Sequence, residues 1–235
     1  MRAALAIAAV LLALAPAAAA QHFKPPFPTR PLSPQGQALA DAWRAKVDAV
    51  RAELAALPPP TSVGEDLARR NRLQREARLA LSPIFTSPPE ERGWILAVVW
   101  NELGRIDDDN TEALKRVLPP GGWFRRSRDG AAAHEAWDVV QHTNDWAFQK
   151  EVLAHVEPLA RIGEADGSDY AKLYDRVAQR DSRPQRYATQ VSCHGGVRGF
   201  GDVEDLARVD ALRQAVGHGE TLAQTKTRLK VGSAC

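Results

Sequence analysis

His142 is the residue of this chain best suited to moving a proton, and its neighbours at helical spacing are acids and amides. On a helical wheel at roughly 100° per residue, Asp138, His142, Asp145 and Gln149 fall within about 60° of one another. Trp137, Phe148 and Val152 flank that wedge on one side, and Val139, Trp146 and Leu153 on the other. Thr143, Asn144, Lys150 and Glu151 take the opposite, solvent half. The stripe therefore points into the domain, where buried polar groups need partners. Two readings are open. In one, the stripe lines a pocket, with His142 as general base or metal ligand and Asp138 or Asp145, one turn away, orienting it. In the other, it is a satisfied interior network that fixes helix packing. No metal is expected, because the chain has neither HExxH nor His-x-x-x-His. No cofactor is expected, because it has neither a P-loop nor a GxGxxG; a G-x-S-x-G nucleophile elbow is also missing.

Other chemistry-bearing residues are less compelling. Cys193 and His194 are adjacent, but neighbours on an extended chain face opposite ways. Asp107 to Asn110 could hold a cation, yet they lack the glycine and the distal glutamate of a calcium loop and read better as a helix cap. Arg125, Arg126 and Arg128 beside Trp123 and Phe124 could hold an anion, or form a solvated loop.

The elements that must carry these residues are helices. Leu39, Trp43, Val47, Val50 and Leu54 recur at three- and four-residue spacing and predict a helix over 35–57. Ser62, with Glu65 three residues on, predicts a capping box opening a helix to about Leu81. Ser87, followed by Pro88, predicts the cap of an apolar helix through Leu103. The Asp107–Asn110 break then predicts a separate short helix to Val117. A single long helix is expected over 131–162, another over 169–180, and two short ones over 204–216 and 222–229. After Pro184 the Tyr, Thr and Val content and four glycines predict a small hairpin or extended arm over 186–201. The expected fold is mainly α, one domain over 35–235 with that small β element.

The ends and the composition set the context. Arg2, the apolar run Ala3–Ala15, Pro16 and the small residues to Ala20 predict a cleavable signal peptide over 1–20. The run falls short of the ~20 residues of a membrane span, so no span is expected after cleavage. Residues 21–34 carry five prolines in fourteen positions and read as a linker. The chain has 31 basic and 29 acidic residues, a net charge of +2 that gives no pull toward nucleic acid. Arginine outnumbers lysine 24 to 7, which suits hydrogen-bonded ion pairs. Export to the periplasm or beyond makes a Cys193–Cys235 bridge available, while the terminal position of Cys235 favours two free thiols.

The ordered set of motifs says more than any single one. Asp109-Asn110-Thr111 with Leu114 precedes Gly122-Trp123; Gln141-His142 precedes Phe148-Gln149. Tyr170, Leu173, Asp175 and Arg176 follow, then Gln185-x-Tyr187-x-Thr189-Gln190, then Val209-Asp210 with Arg213 and Gly217. Over about residues 100–230 this resembles a bacterial domain-of-unknown-function family marked by GW, QH with a downstream FQ, DR, Q-x-YGTQ and D-x-x-R. The resemblance implies a ligand-binding set of Trp123, Gln141, Gln149, Asp175, Arg176, Gln185, Tyr187, Thr189 and Gln190, types suited to a polar ligand. It also implies that Asp175 or Arg176 reaches inward. Two positions depart from the family pattern. Ala188 stands where glycine is expected, so positive φ is not expected there. Asn144 stands near an expected acid.

Two functions fit these readings. One is a binding or interaction domain of the cell envelope, holding a polar small molecule or an envelope component. The other is a periplasmic hydrolase with His142 as base; no recognised nucleophile supports it.

Overall fold

The computed structural model describes residues 30–235. The expected signal peptide and most of the proline-rich linker lie outside the described residues. The fold is mainly α with one small antiparallel hairpin. Helix α1 (Pro34–Ala55) opens on Ser33, whose hydroxyl accepts from the Gly36 amide. Helix α2 (Val63–Leu79) opens on Ser62, which accepts from the Glu65 amide. The Glu65 carboxylate instead takes the amide of Thr61, so the reciprocal half of the expected box is displaced by one residue. A short turn α3 (Ser82–Phe85) and the long α4 (Pro89–Val117) follow. Ser87 is not the cap of α4: Pro88 holds that position, and the Ser87 hydroxyl donates to the Ile84 carbonyl.

The polar run Asp107–Asn110 does not break α4. Asp107 receives both contacts of Arg78 from α2, at 2.9 and 2.7 Å, and Thr111 donates to the Asp107 carbonyl at 2.7 Å. With its carboxylate engaged across helices, Asp107 has no capping to offer. Their helix-propensity cost is below about 1 kcal/mol each, less than burying Ile106 and Leu114 gains.

The expected long helix is instead two. Short α5 (Arg126–Asp129) leads to α6 (Ala131–His142) and, after a bend, α7 (Trp146–Arg161). Asp145 caps α7 by accepting from the Phe148 amide at 2.9 Å, and Thr143 accepts from the Asp145 amide at 3.1 Å. Gln149 reaches back to the Val140 carbonyl at 2.8 Å, satisfying an α6 end group. Thr143, which a continuous wheel sends to solvent, is buried and hydrogen-bonded to Thr111. Pro158 sits inside α7 without ending it.

Helix α8 (Gly167–Arg180) packs on α7. The hairpin is β1 (Ser192–His194) with β2 (Val197–Gly199), shorter than the 186–201 arm that contains it. A 3-10 turn (Leu206–Arg208), α9 (Val209–Ala215) and α10 (Leu222–Arg228) complete the chain. Cys193 and Cys235 form a disulfide with Cα atoms 6.0 Å apart, and the Cys235 amide donates to the Gly196 carbonyl.

The core has two large clusters. One joins α1, α3 and parts of α2 and α4 around Trp43, Ile84, Ile95 and Val99. The other joins α6, α7 and α8 around Trp137, Phe148, Val152 and Leu173. Helices α2 and α4 enter both: Ala77 and Ile106 belong to the first, Leu67 and Leu114 to the second.

Candidate functional site

A cleft of about 360 Å³ opens at the C-terminal end of α6. Gln141, His142, Thr143 and Asn144 form one wall, because α6 ends there and the bend exposes its last turn. Arg78 and Leu81 arrive from the end of α2, and Trp100, Leu103, Gly104 and Asp107 from the middle of α4. Arg180, on the last turn of α8, closes the rim. Arg176, one turn earlier, donates to the Gln141 carbonyl behind that wall.

The electrostatics are lopsided toward positive charge. Arg78 is paired with Asp107. Arg176 and Arg180 have no carboxylate partner among the described residues; Arg180 lies over the Trp146 ring, 5.1 Å from its centroid. Burial, followed by the charges of Arg180 and Arg78, lowers the pKa of Arg176. His142 makes no side-chain hydrogen bond among the described residues. Burial first, then the charges of Arg78 and Arg176, push its pKa down to about 3, so the imidazole is neutral at pH 7. Burial raises Asp107 to about 6 against the pull of Arg78. Trp100, 37% exposed, adds an indole to the apolar side of the cleft beside Leu81 and Leu103.

The acids expected to orient His142 are engaged elsewhere. Asp138 accepts from Gln141 at 2.8 Å and stands 3.9 Å from Arg75. Asp145 caps α7 and pairs with Lys115 at 2.7 Å. Gln149 is fully buried in the α6–α7 bend. The stripe drawn on one helix is therefore divided by the bend, and only its His142 end faces the cleft.

The other expected ligand-binding residues form a separate clasp. Asp175, fully buried on α8, accepts from the amides of Arg186, Tyr187 and Thr189 and from the Thr189 hydroxyl, all within 2.8–3.0 Å. Burial raises its pKa against those four donors. Gln185 exchanges hydrogen bonds with the backbone of Gln190 at 2.8 and 2.9 Å, and also donates to the Phe200 carbonyl. Gln190 donates to Lys172 and Thr189. Tyr187 packs edge-on against Tyr170 and Tyr174. Arg213 holds the same turn from α9, donating to the carbonyls of Tyr187 and Ala188 at 2.9 and 3.0 Å. Asp175 is thus the member of the Asp175-Arg176 pair that reaches the clasp, while Arg176 reaches the cleft wall. Within the clasp Ala188 has φ of +50°, contrary to the expectation that alanine there marks ordinary backbone. Trp123 is buried beside another cavity. Its neighbour Gly122 has φ of +79°, and a Cβ there would meet the His155 ring at 2.5 Å, which accounts for glycine in that pair.

Arg78, Trp100 and Arg180 were not among the expected site residues, and Asp107 was expected only as part of a cation-holding or capping run. The Arg78–Asp107 pair spans 29 residues of sequence and has no local signature. Trp100 did carry a signal, as a ring on a helix too apolar to be covered all round.

Residues 89–227 match the model of a family of unknown function, DUF6624. The chain belongs to this family. The motif resemblance was to a family of this kind. The DUF6624 segment contains every cleft residue except Arg78 and Leu81, which α2 and its following turn supply from outside it. No curated protein and no solved structure matches the chain.

Proposed function

We propose that this DUF6624 domain binds a small anionic ligand, a sugar acid or sugar phosphate, in the His142 cleft. The observation that carries the reading is the Arg180 guanidinium on the cleft rim, with no carboxylate partner among the described residues, beside a neutral imidazole and with the Arg176 charge behind the wall. Arginine in a partly desolvated wall favours carboxylate or phosphate, and a charge-assisted hydrogen bond contributes about 1.5–3 kcal/mol. Trp100 suits the ring face of such a ligand. The expected signal peptide would place this ligand outside the cytoplasm, as a periplasmic molecule or an envelope component. Hydrolysis by His142 is the poorer reading. A general base works best with a pKa near the working pH, and His142 lies near 3 with neither Asp138 nor Asp145 bonded to it.

The test is calorimetric titration of residues 21–235 with glucuronate, glucose 6-phosphate and glucose. The anionic sugars should bind and glucose should not. Arg180→Gln should weaken binding more than about tenfold. Equal affinity for glucose, or an unaffected Arg180→Gln variant, would overturn the reading.

A further inference from the structure

A second cavity, of about 410 Å³, lies along the N-terminal half of α6, at the opposite end of that helix from His142. Its volume falls within the range of small-molecule sites. Its inner wall is apolar, built from the rings of Trp123 and Trp137 with Val156. Both indoles are almost wholly buried, and both border this cavity.

The polar edge is incomplete. Asp166 caps α8 through one carboxylate oxygen, accepting from the Ser168 and Asp169 amides at 2.8 and 3.2 Å. Its other oxygen is 4.0 Å from Arg126. Asp169 has no such duty. Its side chain is only 15% exposed, it accepts no hydrogen bond among the described residues, and its nearest cation is the Lys172 ammonium at 3.6 Å. Burial, then the Asp166 charge, raises its pKa to about 6 against the pull of Lys172 and His134, so at pH 7.5 it is mainly an anion whose Lys172 neighbour stands just beyond hydrogen-bond distance. A desolvated carboxylate without donors is costly to keep, and a ligand that donates to it relieves the cost. Aromatic faces beside it favour a cation over a neutral donor.

We propose that this cavity binds a small organic amine, its ring packed against Trp123 and Trp137 and its ammonium on Asp169. Lys172, on an exposed stem, holds the place of that ammonium loosely and gives way to it. Arg126 and exposed His134 sit across the mouth and set the competing outcome, an anion.

The experiment is calorimetric titration of the purified chain with benzylamine, benzyl alcohol and benzoate at pH 7.5. Benzylamine should bind at least tenfold more tightly than the other two. Asp169→Asn should abolish that preference, and Lys172→Gln should strengthen benzylamine binding several-fold. Ala133→Phe, which fills the cavity from α6, should remove binding altogether. The proposal is overturned if benzoate or benzyl alcohol binds as well as benzylamine, or if none of the three binds. It is equally overturned if a folded Asp169→Asn variant keeps the preference, or, should that variant not fold, if Lys172→Gln weakens the amine.

Discussion

The imidazole of His142 is held neutral by burial and by two guanidinium charges, and this has a sign in stability. The unfolded chain takes up a proton near the ordinary value of 6.5, the folded chain only near 3. Between those values the unfolded state carries more protons, so stability present above pH 6.5 is lost as the pH falls. Asp107 and Asp169, both raised from 3.8 to about 6, act the opposite way over their narrower window. His142→Gln should therefore gain on the wild type by up to about 2 kcal/mol between pH 7 and pH 5. Urea unfolding at the two pH values measures this; parallel curves would mean that His142 titrates normally. Ala188 gives a second residue-scale expectation. Its left-handed backbone costs an alanine about 1 kcal/mol, partly offset by the freedom a glycine loses on folding. Ala188→Gly should raise stability by about 0.5 kcal/mol, seen as a higher melting temperature, and a lower one would show that the buried methyl matters more. His142 was legible as a residue worth examining because its type is rare and its neighbours polar. Its arginine surroundings were not, since charges meeting across helices leave no local pattern.

At the scale of elements, helical content and most boundaries could be read from periodicity and caps. Two departures from the expected boundaries share one cause. Asp107–Asn110 and Thr143–Asp145 are both polar runs with cap-forming residues, yet the first continues a helix and the second ends one. Arg78 and Thr111 engage Asp107 from α2 and within α4, so helix continuity costs no polar partner. At Asp145 the side chain is free to cap, and Lys115 secures it. Asp145→Ala should therefore cost about 1–2 kcal/mol by loss of cap and ion pair. Chemical denaturation would check this, and a change within 0.3 kcal/mol would show that the bend is held by Gln149 and Thr143 instead. The clasp around Asp175 was visible in sequence as an ordered motif, but its role was not. A carboxylate collecting backbone amides is the same residue type on paper as one awaiting a ligand.

For the whole molecule, helices α2 and α4 bind the two clusters into one unit, which predicts a single unfolding transition by circular dichroism and tryptophan fluorescence; two separated midpoints would divide the unit. The Cys193–Cys235 bridge closes a sequence separation of 42 residues. The chain-entropy relation gives about 4 kcal/mol for such a loop, an upper value for a bridge at the edge of the fold. Reduction should lower the melting temperature measurably, while an unchanged melt would show that the clasp of Asp175 and Arg213 holds this region unaided. The bridge could not be decided from two cysteines alone, because pairing depends on where the hairpin brings Cys193.

Arg78 has one further consequence. It belongs to a helix that precedes the segment shared with DUF6624, and it neutralises a carboxylate buried inside that segment. The segment that matches the family and the unit that folds thus have different borders in this chain. A protein that borrows residues 89–227 as a module inherits Asp107 without its counter-charge and the inner face of α4 without its cover. Any such transplant must bring a basic helix of its own to stand where α2 stands.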